Sequence, residues 1–322
     1  MITVLAGGVG AARFLSGLLQ VVPARDVTAI VNTGDDTVLH GLSISPDLDT
    51  VTYTLAGAID PGRGWGLRDE TWTTMESLAR FVDVRPAGSM AAQNWFNLGN
   101  RDIATHFYRT ARLAEGATLT EVTGEITAAF GLQLHLLPMS DQRVQTRVTV
   151  VDEGEISFQE YFVRRHHDVA VTSVRFEGAE RAHLASGAAR ALMHADAVVI
   201  APSNPLVSIG PLRALAGVDT ALTARRDSVV AISPIVGGAA LKGPADRMLE
   251  ELGHEASVVG VARLYAPIAA SLVIDPVDAH LASQVEAAGM RTVIVPSVMS
   301  TPEISAALSR ATLAAAGVTL PS

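Results

Sequence analysis

The chain has 322 residues, 48% of them hydrophobic and 18% charged, which is enough apolar material for one large or two modest folded domains. Its formal charge of −9, with no basic cluster, excludes an extended phosphate-binding surface for nucleic acid. The absence of cysteine excludes disulfides, thiolate metal sites and a cysteine nucleophile.

The N-terminal segment has the pattern of a strand, a glycine turn and a helix. Ile2–Ala6 form an apolar run that ends at Gly7, and apolar residues at helical spacing follow from Phe14. A second apolar run, Val27–Val31, follows at a distance along the chain that suits a right-handed crossover connection between two parallel strands. This order predicts the first unit of a doubly wound, mostly parallel α/β sheet.

Further apolar runs late in the chain indicate more strands of the same sheet. They are continuous rather than alternating, which is typical of strands covered on both faces. The predicted strands are Val169–Val174, Ala197–Ala201, Val229–Ser233, Ser271–Ile274 and Thr292–Val295, with helical stretches such as Ala182–His194 and Pro244–Leu252 between them. We therefore predict a Rossmann-like nucleotide-binding core made of residues 1–58 and 166–322.

The middle of the chain differs in character and contains all three tryptophans. It combines polar helical stretches with a helix from about Leu119 and extended segments at Gln133–Leu137 and Arg147–Val151. We interpret residues 59–165 as an inserted, smaller α+β cap domain that contributes to the substrate site.

The loop after the first predicted strand, GGVGAARF, has the composition of a phosphate-binding turn. Gly8 and Gly10 let backbone N–H groups approach an anion, the next helix adds positive charge at its N-terminus, and Arg13 lies nearby. The loop lacks the third glycine of a dinucleotide-binding motif, and the second strand ends in Asn32 instead of an acidic residue. A plain tight turn is the alternative.

Four aspartates follow the second predicted strand at the same sheet edge. Asp35 and Asp36 end the NTGDD stretch, and Asp47 and Asp49 lie in SPDLDT. Four carboxylates on two loops repel one another unless a cation lies among them, and Mg²⁺ prefers such hard oxygen ligands. The pattern predicts a Mg²⁺ site, although helix capping or solvation can explain any single aspartate.

Two later loops place hydroxyls and backbone N–H groups at this edge. They follow the predicted strands Ala197–Ala201 and Val229–Ser233, and the second contains the chain's single lysine. With the glycine loop, they predict a nucleotide site in which the lysine binds phosphate. The candidate residues are Ser203, Asn204 and Ser208 in the first loop and Gly237, Gly238 and Lys242 in the second.

The stretch WFNLGNRDIATH combines aromatic and polar side chains. Trp95, Arg101 and His106 together offer the stacking and hydrogen-bonding groups that a flat heterocycle needs. The alternative is that Trp95 packs into the cap domain with Phe96.

Taken in series, these motifs resemble the 2-phospho-L-lactate transferase family (the CofD/FbiA type) of coenzyme F(420) biosynthesis. The resemblance runs along nearly the whole chain, through GGVGAARF, VNTGDD, HGLSISPDLDTVTYTLAG, GWGLRDET, WFNLGNRDIATH, LPMSDQRVQT, FQEYFVRR, APSNPLVSIGP and SPIVGGAALKGPA. It implies a magnesium-dependent transferase. A guanosine-diphospho-activated three-carbon phosphoacid would pass to the terminal ribityl hydroxyl of the deazaflavin Fo, and GMP would leave.

The resemblance also implies roles for individual residues. Asp49 and Arg101 fall on the positions that contact Fo, and Asp35 is the best match for the metal-linked catalytic carboxylate, with Asp47 as a second ligand. Asp49 would orient the ribityl hydroxyl or accept its proton. The family's GDxD stretch reads Gly99-Asn100-Arg101-Asp102 here, so Asn100 can form hydrogen bonds but carries no charge.

Several alternatives stay open at this point. The acid transferred is lactate, enolpyruvate or glycerate, which differ in detail that motifs do not encode. A Rossmann oxidoreductase using a nicotinamide or a deazaflavin, or a non-catalytic binding module, would also use such a fold. No apolar run reaches the ~20 residues of a spanning helix and the chain start lacks a basic leader, so we expect a cytoplasmic protein. A homodimer is the commonest assembly and is expected here.

Overall fold

The computed structural model describes residues 1–320 and contains strands in one large and three small sheets. The strands are β1 (Ile2–Ala6), β2 (Val27–Val31), β3 (Thr37–Leu39), β4 (Leu42–Ile44), β5 (His135–Pro138), β6 (Gln145–Val150), β7 (Gly154–Ser157), β8 (Val171–Glu177), β9 (Ala197–Ile200), β10 (Val229–Ile232), β11 (Ile235–Val236), β12 (Ala239–Ala240), β13 (Ser271–Ile274) and β14 (Arg291–Ile294).

The helices cover both faces of the large sheet and fill the middle of the chain. They are α1 (Val9–Leu18), α2 (Pro46–Leu55), α3 (Thr73–Ala79), α4 (Asn100–Ala114), α5 (Leu119–Ala129), α6 (Ala188–His194), α7 (Gly210–Arg213), α8 (Val218–Ala224), α9 (Ala245–Glu251), α10 (Val258–Tyr265), α11 (Ala282–Ala287) and α12 (Pro302–Ala315).

The large sheet has seven strands in the order β14-β13-β10-β9-β1-β2-β5, and every neighbouring pair is parallel. The chain builds outward from β1 in one direction through β2 and β5, and in the other through β9, β10, β13 and β14. The strand order therefore reverses between β1 and β9. In open α/β sheets such a switch point leaves a crevice at the carboxyl ends of the strands, where ligands bind.

The sheet is covered on both faces, as its continuous apolar strands predict. Along β1, Val4 belongs to the apolar cluster formed with α1, α2 and α12, whereas Leu5 belongs to the cluster with α6, α8 and α10. Because successive side chains of a strand point to opposite faces, one strand contributes to both cores. The predicted α/β, doubly wound fold is confirmed.

One predicted strand joins a different sheet. Val169–Val174 was expected in the parallel sheet, but β8 pairs antiparallel with β6 in a three-stranded sheet, β7-β6-β8. Most β8 residues are at least partly exposed, and Arg175 and Glu177 form ion pairs with Glu155 and Arg147 on neighbouring strands. A strand with such a polar face does not fit between two layers of helices.

The predicted domain boundaries, at residues 59 and 166, do not coincide with the boundaries of the observed sheets. Strand β5 lies inside the predicted insertion, 59–165, yet it pairs with β2 at the edge of the central sheet. The small sheet crosses the other boundary, because β6 and β7 precede residue 166 and β8 follows it. Short strands of ordinary composition do not reveal which sheet they join, and the division of the chain into a core and an inserted domain stays a prediction.

Candidate active site

The glycine loop lies at the switch point, packed against the loop that follows β9. Gly7 donates its backbone N–H to Ser203 Oγ at 3.2 Å. A Cβ atom at Gly10 would lie 2.1 Å from the Pro202 carbonyl oxygen, and one at Gly8 would lie 2.7 Å from Asp47 Oδ1. Glycine at these positions therefore allows three loops to meet closely.

Asn32, the residue after β2, joins the two predicted metal ligands. Its Nδ2 group donates to Asp35 Oδ2 and to Asp47 Oδ2, each at 3.0 Å, while its Oδ1 accepts the N–H of Gly34 at 2.8 Å. Asn32 and Asp35 are buried. Two carboxylates from different elements thus converge on one amide beside the glycine loop, and we call Asn32, Asp35 and Asp47 the acidic cluster.

Electrostatics in the acidic cluster favour proton or cation binding. Burial, followed by the charge of Asp47, raises the pKa of the Asp35 carboxyl well above its usual range. Burial raises the pKa of the Asp47 carboxyl to about 6. Asp35 Oδ1 is buried and has no hydrogen-bond partner among the described residues. A buried, unpartnered carboxylate oxygen is costly, so the cluster is suited to a positive ligand.

Asp47 and Asp49 lie in the first turn of α2, which begins at Pro46. Proline fits the first helical position, and acidic side chains favour the helix N-terminus. Residues two apart on a helix do not share a face. Asp47 consequently contacts Asn32 near the glycine loop, while Asp49 contacts Arg109 on α4.

Asp49 is held by a buried ion pair. Arg109 Nη1 donates to Asp49 Oδ2 at 3.2 Å, and Arg109 Nη2 donates to Asp49 Oδ1. The same Nη1 group contacts His106 Nδ1 at 3.2 Å and donates to the Ser43 carbonyl at 3.3 Å. The Arg109 side chain is only 2% exposed. A two-pronged pair of this kind fixes the orientation of the Asp49 carboxylate.

A second carboxylate extends this network on α4. Asp102 Oδ1 accepts the Tyr53 hydroxyl at 2.6 Å, and Asp102 Oδ2 lies 3.3 Å from His106 Nε2. The His106 interaction and the Tyr53 hydrogen bond lower the pKa of the Asp102 carboxyl against the opposing effect of burial. We call Tyr53, Asp49, Asp102, His106 and Arg109 the paired network.

The paired network also has the spacing of a metal site, because Asp49, Asp102 and His106 offer ligand atoms within 4.8 Å of one another. The Asp49 carboxylate already has a counter-charge, however, since Arg109 donates to both of its oxygens. An added cation would have to displace a buried arginine. The acidic cluster, which has no such partner among residues 1–320, is the better candidate for a divalent ion.

Asp36 lies between these two groups. Its Oδ2 accepts the Ser45 hydroxyl at 2.7 Å, whereas its Oδ1 is buried without a partner in the described chain. Burial raises the pKa of Asp36 well above its usual range, although the Ser45 hydrogen bond and Arg109 oppose the shift. The charges of Asp49 and Asp47 add to the shift, so Asp36 is influenced by a carboxylate of each group.

Two predicted phosphate-binding cations, Arg13 on α1 and Lys242 after β12, are left without a carboxylate partner in the described residues. Burial, and then the charge of Arg13, lowers the pKa of the Lys242 ammonium. Arg13 and Lys242 therefore act on each other as like charges, and an anion bound between them would relieve that repulsion.

The remaining predicted phosphate-binding groups have partners within the protein. Asn204 Oδ1 accepts the N–H groups of Leu206 at 2.9 Å and Val207 at 3.3 Å, and Asn204 O accepts that of Ser208 at 3.0 Å. Gly237 donates its N–H to Asp278 Oδ2 at 2.9 Å. Asn204 therefore shapes the loop after β9, and the backbone of Gly237 is already engaged.

Gly237 and Gly238 form the two-residue turn between β11 and β12. Both have positive φ, 61° and 81°, as tight hairpin turns require. The turn and β12 lead into the segment that contains Lys242. These glycines are thus explained by the hairpin itself.

The residues predicted to bind the heterocycle do not converge. Trp95 is partly buried against the apolar cluster of Leu98 and Ile103, and its ring N–H donates to Gln93 at 3.2 Å. His106 is 1% exposed and lies within the paired network. Arg101 is well exposed, donates from Nη1 to the Arg68 carbonyl at 3.1 Å, and lines a surface pocket of about 360 Å³.

Asn100 has a structural contact where the family pattern has an acid. Its Oδ1 accepts the N–H of Thr74 at 3.2 Å, at the start of α3. Glu70 instead accepts the N–H groups of Arg101 and Asp102 at the start of α4, at 2.7 and 2.9 Å. The helix that carries Arg101 is therefore fixed by Glu70, and Asn100 joins it to α3.

The sequence analysis missed the roles of Asn32, Tyr53 and Arg109. A signal for Arg109 exists, because Asp102, His106 and Arg109 are spaced four and three residues apart and so share one face of α4. Three ionisable residues on the buried face of an amphipathic helix indicate a polar network there. For Asn32, the sequence indicates only that the second strand lacks the acidic residue of a dinucleotide-binding motif.

The chain is similar to proteins of one known family along almost its whole length. A family model for 2-phospho-L-lactate transferase CofD matches residues 2–308. The phosphoenolpyruvate transferase of Streptomyces griseus is 44% identical over 316 residues, 97% of each chain, and that of Mycolicibacterium smegmatis is 40% identical over 333 residues, 99% of each chain. The phosphoenolpyruvate transferase of Mycobacterium tuberculosis is 40% identical over 335 residues, 98% of this chain and 99% of its own.

A crystal structure supports the fold alone. A UPF0052-family protein from Bacillus halodurans has a TM-score of 0.59 at 14% identity, with 97% of this chain and 98% of that chain covered. None of the helices within residues 1–320 combines the length and apolar character needed to cross a membrane. From the family match along almost the entire sequence, together with relatives above 40% identity, the chain belongs to the 2-phospho-L-lactate transferase (CofD) family.

Proposed function

We propose that the protein transfers a three-carbon phosphoacid from a guanosine-diphospho-activated donor to the terminal ribityl hydroxyl of the deazaflavin Fo in coenzyme F(420) biosynthesis. The acidic cluster beside the glycine loop carries this proposal, because it brings Asp35 and Asp47 to a loop suited to phosphate. Arg13 and Lys242, which form no ion pair within residues 1–320, fit the negative charge of a diphosphate.

The residues present fit a magnesium ion. Asp35 Oδ1 is buried and lacks a hydrogen-bond partner within residues 1–320, and both Asp35 and Asp47 have raised pKa values, so each carboxyl would gain from a nearby cation. Asp35 and Asp47 would hold Mg²⁺, which neutralises phosphate oxygens when bound. Asn32 keeps the two carboxylates in place by donating to both.

The transfer requires a bond from the ribityl oxygen to the donor's outer phosphorus, while the bond from that phosphorus to the bridging oxygen breaks and GMP leaves. Such reactions depend on alignment and charge stabilisation more than on covalent help. Asp49, fixed by Arg109, would accept a hydrogen bond from the attacking hydroxyl and orient it. Arg13 and Lys242 would stabilise the charge that develops on the leaving group.

Enolpyruvate is the acid that the relatives support. Three relatives at 40–44% identity are phosphoenolpyruvate transferases, whereas the matching family model is described by phospholactate. We therefore propose the enolpyruvyl donor for this chain. The oxidoreductase alternative has no support among these relatives, and Asn32 bonds two carboxylates instead of a ribose.

Mass spectrometry of the product tests the proposal. The protein would be incubated with Fo, GTP, Mg²⁺ and phosphoenolpyruvate, phospholactate or phosphoglycerate in turn, with the donor-making partner enzyme supplied. We expect Fo to gain the enolpyruvyl-phosphate mass, with GMP released. A phospholactyl product alone would correct the acid, and unchanged Fo with every acid would refute the transferase function proposed here.

Assembly and location stay predictions. The expected homodimer would be tested by light scattering of the purified protein, and the cytoplasmic location by fractionation of cells producing it. Neither affects the chemistry proposed above.

A further inference from the structure

An aromatic arm lies beside the predicted phosphate-binding cations. Residues 59–67 form a loop closed by an antiparallel bridge between Ile59 and Leu67, and we call it the Trp65 arm. Asp60 Oδ1 accepts the N–H groups of Gly62 and Arg63, both at 2.9 Å, which fixes the turn.

Arg63 makes the Trp65 arm rigid from within. Its Nη2 group donates to the Leu67 carbonyl at 3.0 Å and pairs with Asp60 Oδ2 at 3.0 Å. Its guanidinium carbon lies 5.6 Å from the Trp65 ring centroid and 5.1 Å from that of Trp72. The two tryptophan rings are 5.7 Å apart. The Arg63 side chain therefore contacts groups of the arm itself and Trp72, and we do not assign it to anion binding.

Trp65 remains 39% exposed although Trp72 and Arg63 contact it. A large aromatic ring held rigidly but left open to solvent offers a face for another ring at little cost in conformational entropy. A loop that only connects two elements would not need a partly exposed tryptophan held between a second tryptophan and an arginine.

The two ends of the arm contact the two halves of the proposed site. At its tip, a Cβ atom at Gly64 would lie 2.7 Å from Lys242 Nζ. At its base, Leu67 and Arg68 line the pocket that also contains Arg101, and Arg68 accepts the Arg101 hydrogen bond. Trp65 thus belongs to a segment that reaches from the cation proposed to bind phosphate to the arginine proposed to bind Fo.

We infer that Trp65 is a substrate-binding residue that stacks on the flat heteroaromatic ring of a substrate bound between Lys242 and Arg101. This inference rests on the proposed function, in which two such rings exist: the guanine of the donor and the deazaflavin of Fo. Stacking is insensitive to ring substituents, so either ring suits the chemistry. The measurement below separates them.

The test compares wild type, Trp65→Ala and Trp65→Phe, with Phe107→Ala as a control at another exposed aromatic residue. Binding of GDP, Fo and inorganic pyrophosphate would each be measured by calorimetry with Mg²⁺ present. We expect Trp65→Ala to weaken GDP or Fo about 10-fold or more and to leave pyrophosphate unchanged. Trp65→Phe should keep most of the affinity, and Phe107→Ala all of it.

The outcomes are distinct. A loss for GDP alone assigns the guanine, and a loss for Fo alone assigns the deazaflavin. GDP and Fo affinities within twofold of wild type would overturn the inference and leave the proposed function intact. An equal loss for pyrophosphate, or an altered circular dichroism spectrum, would overturn it in favour of a structural arm. Wild type that binds neither GDP nor Fo would refute both the inference and the proposed function.

Discussion

The acidic cluster and the paired network are two groups of aspartates a few residues apart in sequence, yet their charges are handled in opposite ways. In the paired network, Asp49 has a buried arginine on both oxygens. In the acidic cluster, Asp35 and Asp47 share one neutral amide, and burial raises their pKa values. The comparison teaches that the number of carboxylates does not identify a cation site, whereas missing counter-charge does.

The largest expected effect comes from breaking the paired network. Arg109→Met should lower the free energy of unfolding by about 3–5 kcal/mol, because it leaves the Asp49 carboxylate buried without its partner. Arg112→Met on the same helix removes a partly exposed ion pair with Glu125 and should cost no more than about 1 kcal/mol. Urea unfolding of both variants measures the difference.

Adding Asp49→Asn to Arg109→Met should restore part of that stability, since the unpaired charge is then gone. If the double variant is no more stable than Arg109→Met alone, Arg109 acts through packing and the contrast between the two groups is weaker than described.

Neutralising a carboxylate of the acidic cluster should reduce activity without reducing stability, whereas Arg109→Met in the paired network is expected to reduce stability. Asp35→Asn should reduce turnover at least about 100-fold, because a proposed Mg²⁺ ligand is lost. It should not lower the melting temperature without Mg²⁺, because a buried carboxyl with a raised pKa is replaced by a neutral amide. Product formation by chromatography and thermal unfolding measure the two effects, and a clear loss of stability at full activity would reverse the assignment.

The acidic cluster should also make stability depend on pH. The folded pKa of Asp47, about 6, is above the value of about 4 in the unfolded chain, so the folded state holds a proton that the unfolded state has lost. The contribution of Asp47 to the free energy of unfolding is therefore present below about pH 4 and falls as the pH rises through 6. Unfolding of wild type and Asp47→Asn at several pH values should show a shallower slope in the variant, because Asp35 and Asp36, whose pKa values are also raised, still contribute.

Mg²⁺ should compete with that proton. Its apparent affinity is expected to weaken as the pH falls below 6, by up to about 10-fold per pH unit for one displaced proton. Calorimetric titration of Mg²⁺ at pH 5 and pH 7.5 measures this. Equal affinities at both pH values would exclude Asp47 as a ligand.

The sequence predicted the sheet edge better than it predicted the pairing of charges. Continuous apolar strands ending in glycine or aspartate indicate the parallel sheet and the edge where Gly8, Asp35 and Asp47 meet. The sequence did not show that Asp49 forms an ion pair with Arg109, 60 residues away. Partners so distant in sequence depend on how α2 and α4 pack. The role of Trp95 stays a prediction, because aromatic composition does not tell a core residue from a stacking one, and the ring is partly buried against an apolar cluster.

The smallest expected effect tests whether Tyr53, at the far end of the paired network from Asp49, acts on stability alone. Tyr53→Phe removes a hydrogen bond of 2.6 Å to Asp102 and should cost about 1 kcal/mol of unfolding free energy. Tyr265→Phe is a matched control, because the Tyr265 hydroxyl is buried without a hydrogen-bond partner among the described residues, so its removal should cost nothing or stabilise the protein. Since Tyr53 lies behind Asp102 and not in the acidic cluster, turnover by Tyr53→Phe should stay within about threefold of wild type. A large loss of turnover at wild-type stability would instead show that the hydrogen bond from Tyr53 to Asp102 is needed for the chemistry as well as for the fold.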